Sequence, residues 1–128
     1  MTDPYRFCTG NAVEEGRHGW FIGQFISADE GLKHQNALEL KWGRHLKGER
    51  RRGLAEYKVA TTICILISGI IRIRAILDEE TNEVTLRTPG DYVIFGPQVP
   101  HDWEAEEDCI VLSVRFPSVA AGQIELTG

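Results

Sequence analysis

At 128 residues the chain has room for one domain, with a core large enough to fold without disulfide or metal staples. A content of 42% hydrophobic and 26% charged residues excludes a disordered chain. The net charge of -5 removes any general electrostatic attraction to nucleic acid or to an anionic membrane.

The start, Met1 to Phe7, is polar and lacks the apolar run of a secretion signal. Gly19 to Ile26 reads as a strand, rich in aromatic and β-branched residues. A short helix or a loop spans Ser27 to Gln35, with Ser27 or Asp29 as its cap. From Ala37 to Trp42, Leu38, Leu40 and Trp42 alternate with Glu39 and Lys41, the period of a strand. Lys47-Gly48-Glu49 reads as a turn. The basic run Lys41, Arg44, Lys47, Arg50, Arg51 and Arg52 holds six of the fourteen Lys and Arg residues and reads as a solvated loop, with an anion site as the alternative.

Thr61 to Ile67 is nearly continuous in apolar residues, as for a strand buried on both faces. Ser68-Gly69 breaks it. Ile70 to Leu77 follows with Arg72 and Arg74 on a wet face. Asp78 to Glu83 reads as a charged hairpin loop with Asn82 suited to positive φ, and Glu83 to Arg87 as a short strand. After the turn Thr88-Pro89-Gly90-Asp91 come a strand over Tyr92 to Phe95 and a proline corner to Pro100. Strands over His101 to Ala105 and Cys109 to Phe116 complete the pattern, the second placing Ile110, Leu112, Val114 and Phe116 on one face. Many short strands between turn signals describe an all-β sandwich or closed barrel. The apolar run Ile63 to Ile71 is too short to span a bilayer, and a soluble cytoplasmic protein is expected. Cys8, Cys64 and Cys109 are odd in number and widely spaced, and read as reduced thiols.

The segment Gly90-Asp91-Tyr92-Val93-Ile94-Phe95-Gly96-Pro97-Gln98-Val99-Pro100-His101 resembles the second motif of the cupins, in which a proline corner delivers a histidine into a barrel. Gly96 and Gln98 stand where that motif has proline and glycine. Thr62 to Gly69 resembles the end of the first cupin motif, with Thr62 in place of its glutamate, and the expected His-x-His pair is missing from Leu54 to Val59. Lys41-Trp42-Gly43-Arg44-His45 and Pro100-His101-Asp102-Trp103-Glu104-Ala105-Glu106-Glu107-Asp108 are similar to stretches of short stand-alone bacterial cupins, RmlC-like proteins sometimes labelled signal peptidase I. The chain has neither a membrane anchor nor a motif assigning a Ser-Lys pair to support that label.

The resemblance implies a single-domain double-stranded β-helix, a jelly-roll barrel. It divides the chain into an N-terminal strand and loop extension over 1–36 that packs on the barrel, the barrel over 37–117, and a tail over 118–128. His101 and Trp103 would line the pocket, with His45, Trp42 and Tyr92 as further ligand contacts and Phe95 as core. The principal reading is a small polar organic molecule bound inside the barrel, with binding and catalysis both open. A divalent transition metal (Fe, Mn, Ni or Zn) on His101 and His45, completed by a carboxylate such as Glu56, is the alternative, and with it a metal-dependent oxygenase, isomerase or lyase. A packed pocket in a structural or interaction protein is the third. A homodimer is expected, with no nucleic-acid or membrane partner.

Overall fold

Turn chemistry divides this chain into strands. Asp78 and Glu79 both adopt positive φ, 49° and 67°, which makes a two-residue hairpin between β5 (Ile71–Leu77) and β6 (Glu80–Leu86). The strand therefore begins at Glu80, and Asn82 lies within the ladder opposite Ala75, not in the turn. Gly69, with φ 85°, passes the chain from β4 (Thr61–Ser68) toward β5. A Cβ there would stand 2.0 Å from the Asp108 carbonyl oxygen, so only glycine fits. The Asp91 carboxylate accepts the N–H groups of Arg87 and Thr88 and closes the turn before β7 (Tyr92–Phe95). The same bonds hold its carboxyl below the usual range.

The computed structural model describes residues 3–120 and the backbone of residues 123–126. Two five-stranded antiparallel sheets face each other. With β1 (Trp20–Ile22), β2 (Glu39–His45) and β9 (Cys109–Phe116), the first runs β1-β2-β9-β4-β7. With β3 (Leu54–Tyr57), β8 (His101–Ala105) and β10 (Gln123–Leu126), the second runs β10-β3-β8-β5-β6. Leu66, Ile71, Ile73, Leu86, Ala105, Cys109 and Val111 fill the space between the sheets.

Some elements differ from the sequence expectation. The first strand is only Trp20–Ile22, because Gly23 takes φ 155° and a Cβ there would strike the Phe25 ring. The anticipated helix is a 3-10 segment, Ala28–Lys33, interrupted at Gly31 and without a capping side-chain bond. β3 was not anticipated at all. The Gly19 carbonyl accepts the Trp42 N–H of β2, and the Asn36 carbonyl accepts the N–H of Ser118, just after β9.

The two sheets present opposite outer faces. On the second, Arg72 reaches Glu104 at 3.4 Å and Glu106 at 3.3 Å, and Arg74 clamps Asp102, giving a polar lattice. On the first, strand register aligns Ile22, Leu40, Val114, Ile63 and Ile94 in one row and Trp42, Leu112, Ile65 and Tyr92 in the next. That face is apolar and open to solvent: Ile67 is 37%, Ile94 53% and Tyr92 66% exposed. β4 is thus buried on one face only, through Thr62 and Leu66, contrary to the two-sided burial its composition suggests.

Candidate functional site

Alternation on the first sheet sends the polar residues inward. Lys41, Gly43 and His45 of β2, Ser113 and Arg115 of β9, and Thr62 and Cys64 of β4 line a cavity of about 180 Å³ between the sheets. Tyr57 of β3, and His101 and Trp103 of β8, close it from the other side.

His101 is placed by the proline corner, where Gln98 takes φ 62° and donates its N–H to the Tyr57 carbonyl at 2.7 Å. The imidazole is buried between Phe95, at 4.5 Å between centroids, and Tyr57, at 5.7 Å. Its Nδ1 lies 3.0 Å from the Val99 carbonyl, which calls for a proton on that nitrogen and leaves Nε2 as an acceptor. Burial, reinforced by Arg51 and Arg115, pushes its pKa down. His45 lies over Gly43, where a Cβ would come within 3.1 Å of its Nε2. Its ring packs on Trp103 at 4.1 Å and its Nδ1 stands 3.5 Å from Glu49. Burial and the Lys41 charge lower its pKa as well.

Three cations border the cavity. The Arg115 guanidinium is held between the rings of Trp20, at 4.0 Å, and Tyr57, at 4.2 Å, with Glu39 at 3.3 Å. Arg51, from the basic run expected to be solvated, lines the cavity as well. Lys41 extends along Trp20, its Nζ 5.5 Å from the ring, and makes no ion pair among the described residues. Burial first, then Arg115 and Arg51, lower its pKa. The Thr62 hydroxyl is buried with no hydrogen-bond partner among the described residues. Burial also raises the Tyr57 phenol and the Cys64 thiol.

Of the residues anticipated from sequence, His101, Trp103 and His45 line the cavity, and Phe95, expected as core, lines it too. Trp42 and Tyr92 do not. Their strands turn them to the outer apolar face, because the inward positions on either side of Trp42 belong to Lys41 and Gly43. Arg115, Tyr57 and Thr62 were missed, and Lys41 and Arg51 were named only within a basic run whose alternative reading was an anion site. A charge or hydroxyl embedded in an apolar strand was the available signal.

The donor set does not fit a divalent metal. Among the described residues no group of three His, Cys, Asp or Glu side chains is placed to hold one. Glu56 neighbours the inward pair Ala55 and Tyr57 and is absent from the cavity lining. Thr62 stands where a carboxylate would be needed, Asp102 is committed to Arg74, and Lys41, which has no ion pair among the described residues, brings a positive charge to the cavity. A cation would meet repulsion here.

Two antiparallel sheets closed on an inward-facing histidine define the double-stranded β-helix of the cupins, and the chain has this fold. Solved structures agree. Oxalate decarboxylase from Bacillus subtilis is 22% identical with a TM-score of 0.66, over 79% of this chain and 26% of that one. A sugar 3,4-ketoisomerase from Thermoanaerobacterium thermosaccharolyticum, solved with TDP, is 19% identical at TM-score 0.59, over 66% of this chain and 64% of that one. An uncharacterised double-stranded β-helix protein from Klebsiella pneumoniae is 19% identical at TM-score 0.61, over 73% and 74%. This chain thus spans about a quarter of the decarboxylase, a protein described with Mn(II) centres. The signal peptidase label finds no support in these likenesses, and no helix among the described residues is long and apolar enough to cross a membrane. No protein-family profile and no curated protein match the chain.

Proposed function

We propose that the chain binds a small organic carboxylate inside the barrel. One observation carries the reading: the Lys41 ammonium enters the cavity beside Arg51 and Arg115, and among the described residues no carboxylate is paired to it. Burying like charges together is costly, and a bound anion offsets that cost. The cavity of about 180 Å³ is smaller than the roughly 300–1,000 Å³ of drug-sized ligand sites, so the ligand is small. Thr62 supplies a donor unused among the described residues, and His101 Nε2 accepts from a ligand hydroxyl or takes a proton from it. Trp103 and Phe95 form the apolar wall.

The test is calorimetry and thermal unfolding of the full chain with oxalate, malonate and pyruvate, set beside the uncharged oxamide, malonamide and acetone. The acids are expected to bind and raise Tm, and Lys41→Met to weaken that binding. Equal binding of the uncharged compounds, or no response to any acid, overturns the reading.

A further inference from the structure

We propose that Lys41 is a nucleophile that forms an imine with the carbonyl of a small oxo acid held in the barrel. The inference rests on the anion-binding reading of the same cavity and adds a covalent step to it. Lys41 is set apart from the other lysines by its surroundings. Lys33 pairs with Glu15 at 2.6 Å, Lys47 reaches Glu107 at 3.7 Å, and Lys58 is exposed. Lys41 projects from the middle of β2 into the cavity, opposite Ser113, with its end near the Trp20 ring. A guanidinium fixed between two rings cannot swing away, so Arg115 keeps a positive charge beside the amine and disfavours its protonated form. The lowered pKa of Lys41 agrees with this arrangement. A lysine that is desolvated and flanked by cations is the activated form used for Schiff-base chemistry.

The step balances without any further reagent. The Lys41 ammonium first passes a proton to His101 Nε2. The neutral amine then adds to the carbonyl carbon, forming the C–N bond, while the C=O π pair moves to oxygen and takes a proton from the nitrogen. His101 returns its proton to that hydroxyl, which leaves as water as the nitrogen lone pair closes the C=N bond; in sum, ammonium plus carbonyl gives iminium plus water. Arg51 and Arg115 would hold the acid's carboxylate, and His101 Nε2 is positioned in the same cavity to carry the proton.

The experiment incubates the full chain with pyruvate and cyanoborohydride at neutral pH, followed by intact-mass measurement and peptide mapping. One reduced adduct per chain is expected, on Lys41, with Lys47 and Lys58 unmodified. Oxalate, an anion without a reactive carbonyl, should protect Lys41. Lys41→Ala should lose the adduct. Protection by oxalate in the unaltered chain keeps the test decisive if that variant fails to fold. An adduct spread over surface lysines, or one that oxalate leaves untouched, overturns the proposal. If pyruvate and oxalate both raise Tm and no adduct forms, the imine is refuted and anion binding stands. If neither compound has any effect, both fall.

Discussion

Thr62→Val is expected to make the ligand-free protein more stable. Thr62 is 4% exposed, sits across from Phe95 and Arg115, and its hydroxyl has no hydrogen-bond partner among the described residues. A buried hydroxyl left unpaired costs about 1–3 kcal/mol, and valine keeps the shape while removing that cost. A gain of about 1–2 kcal/mol corresponds to a Tm rise of roughly 3–10 °C at this chain length. Urea unfolding followed by circular dichroism, without ligand, measures it, with the m-value unchanged. The same variant should bind oxalate about tenfold or more weakly, since a hydrogen bond to a charged group contributes roughly 1.5–3 kcal/mol. Thr61→Val, one residue away on the opposite face, should stay within about 0.5 kcal/mol. A ligand-free Thr62→Val that is equally or less stable refutes the reasoning, because the hydroxyl would then already be satisfied.

Acid should destabilise the fold through His45 and His101. Burial depresses both pKa values in the folded state, so the unfolded chain binds more protons as pH falls below about 6.5, and stability present above that pH is lost on acidification. Tm measured from pH 8 to pH 5 should fall, and His101→Gln should flatten the curve; a flat curve for the unaltered protein contradicts this. Leu86→Ala, at a site 1% exposed, should cost about 2–5 kcal/mol in urea unfolding. Gly69→Ala should cost at least about 2 kcal/mol or prevent folding, since it combines positive φ with a clash against the Asp108 carbonyl; near-normal stability would show that this corner can shift.

Strands β4, β5 and β7 to β9 were legible because glycine, proline and aspartate mark their ends, whereas β6 was begun at Glu83 and not Glu80 because Asn82 was assigned to the turn that Asp78 and Glu79 make. β3 was not legible, since Leu54-Ala55-Glu56-Tyr57 is too short to show a period and follows the arginine run. Orientation was the larger failure. A period of two tells which residues share a face, never which face is inside. Around the cavity the usual assignment is inverted, with Lys41, Arg115, Thr62 and Ser113 inside and Trp42, Leu112 and Ile63 outside, while Leu66 and Val111 of the same sheet keep the ordinary apolar core. The histidine of the proline corner escaped this ambiguity because its delivery depends on a turn. Trp42 and Tyr92 did not, because they were assigned by hydrophobicity.

That inversion ties the cavity to the outer face, since one alternation along β2 supplies both. Each residue that brings a cation or a small side chain inward, Lys41 or Gly43, obliges its neighbour, Leu40 or Trp42, to face out. A polar lining and an apolar exterior are therefore two readings of a single strand. Tryptophans separate them experimentally. Trp20 and Trp103 line the cavity, while Trp42 lies in the outer row with Leu112. Replacing Trp20 and Trp103 together by phenylalanine should remove most of the fluorescence change on adding oxalate. Trp42→Ser should keep the oxalate response. If Trp42→Ser abolishes oxalate binding in a folded protein, the two faces are not the separate surfaces that this alternation requires.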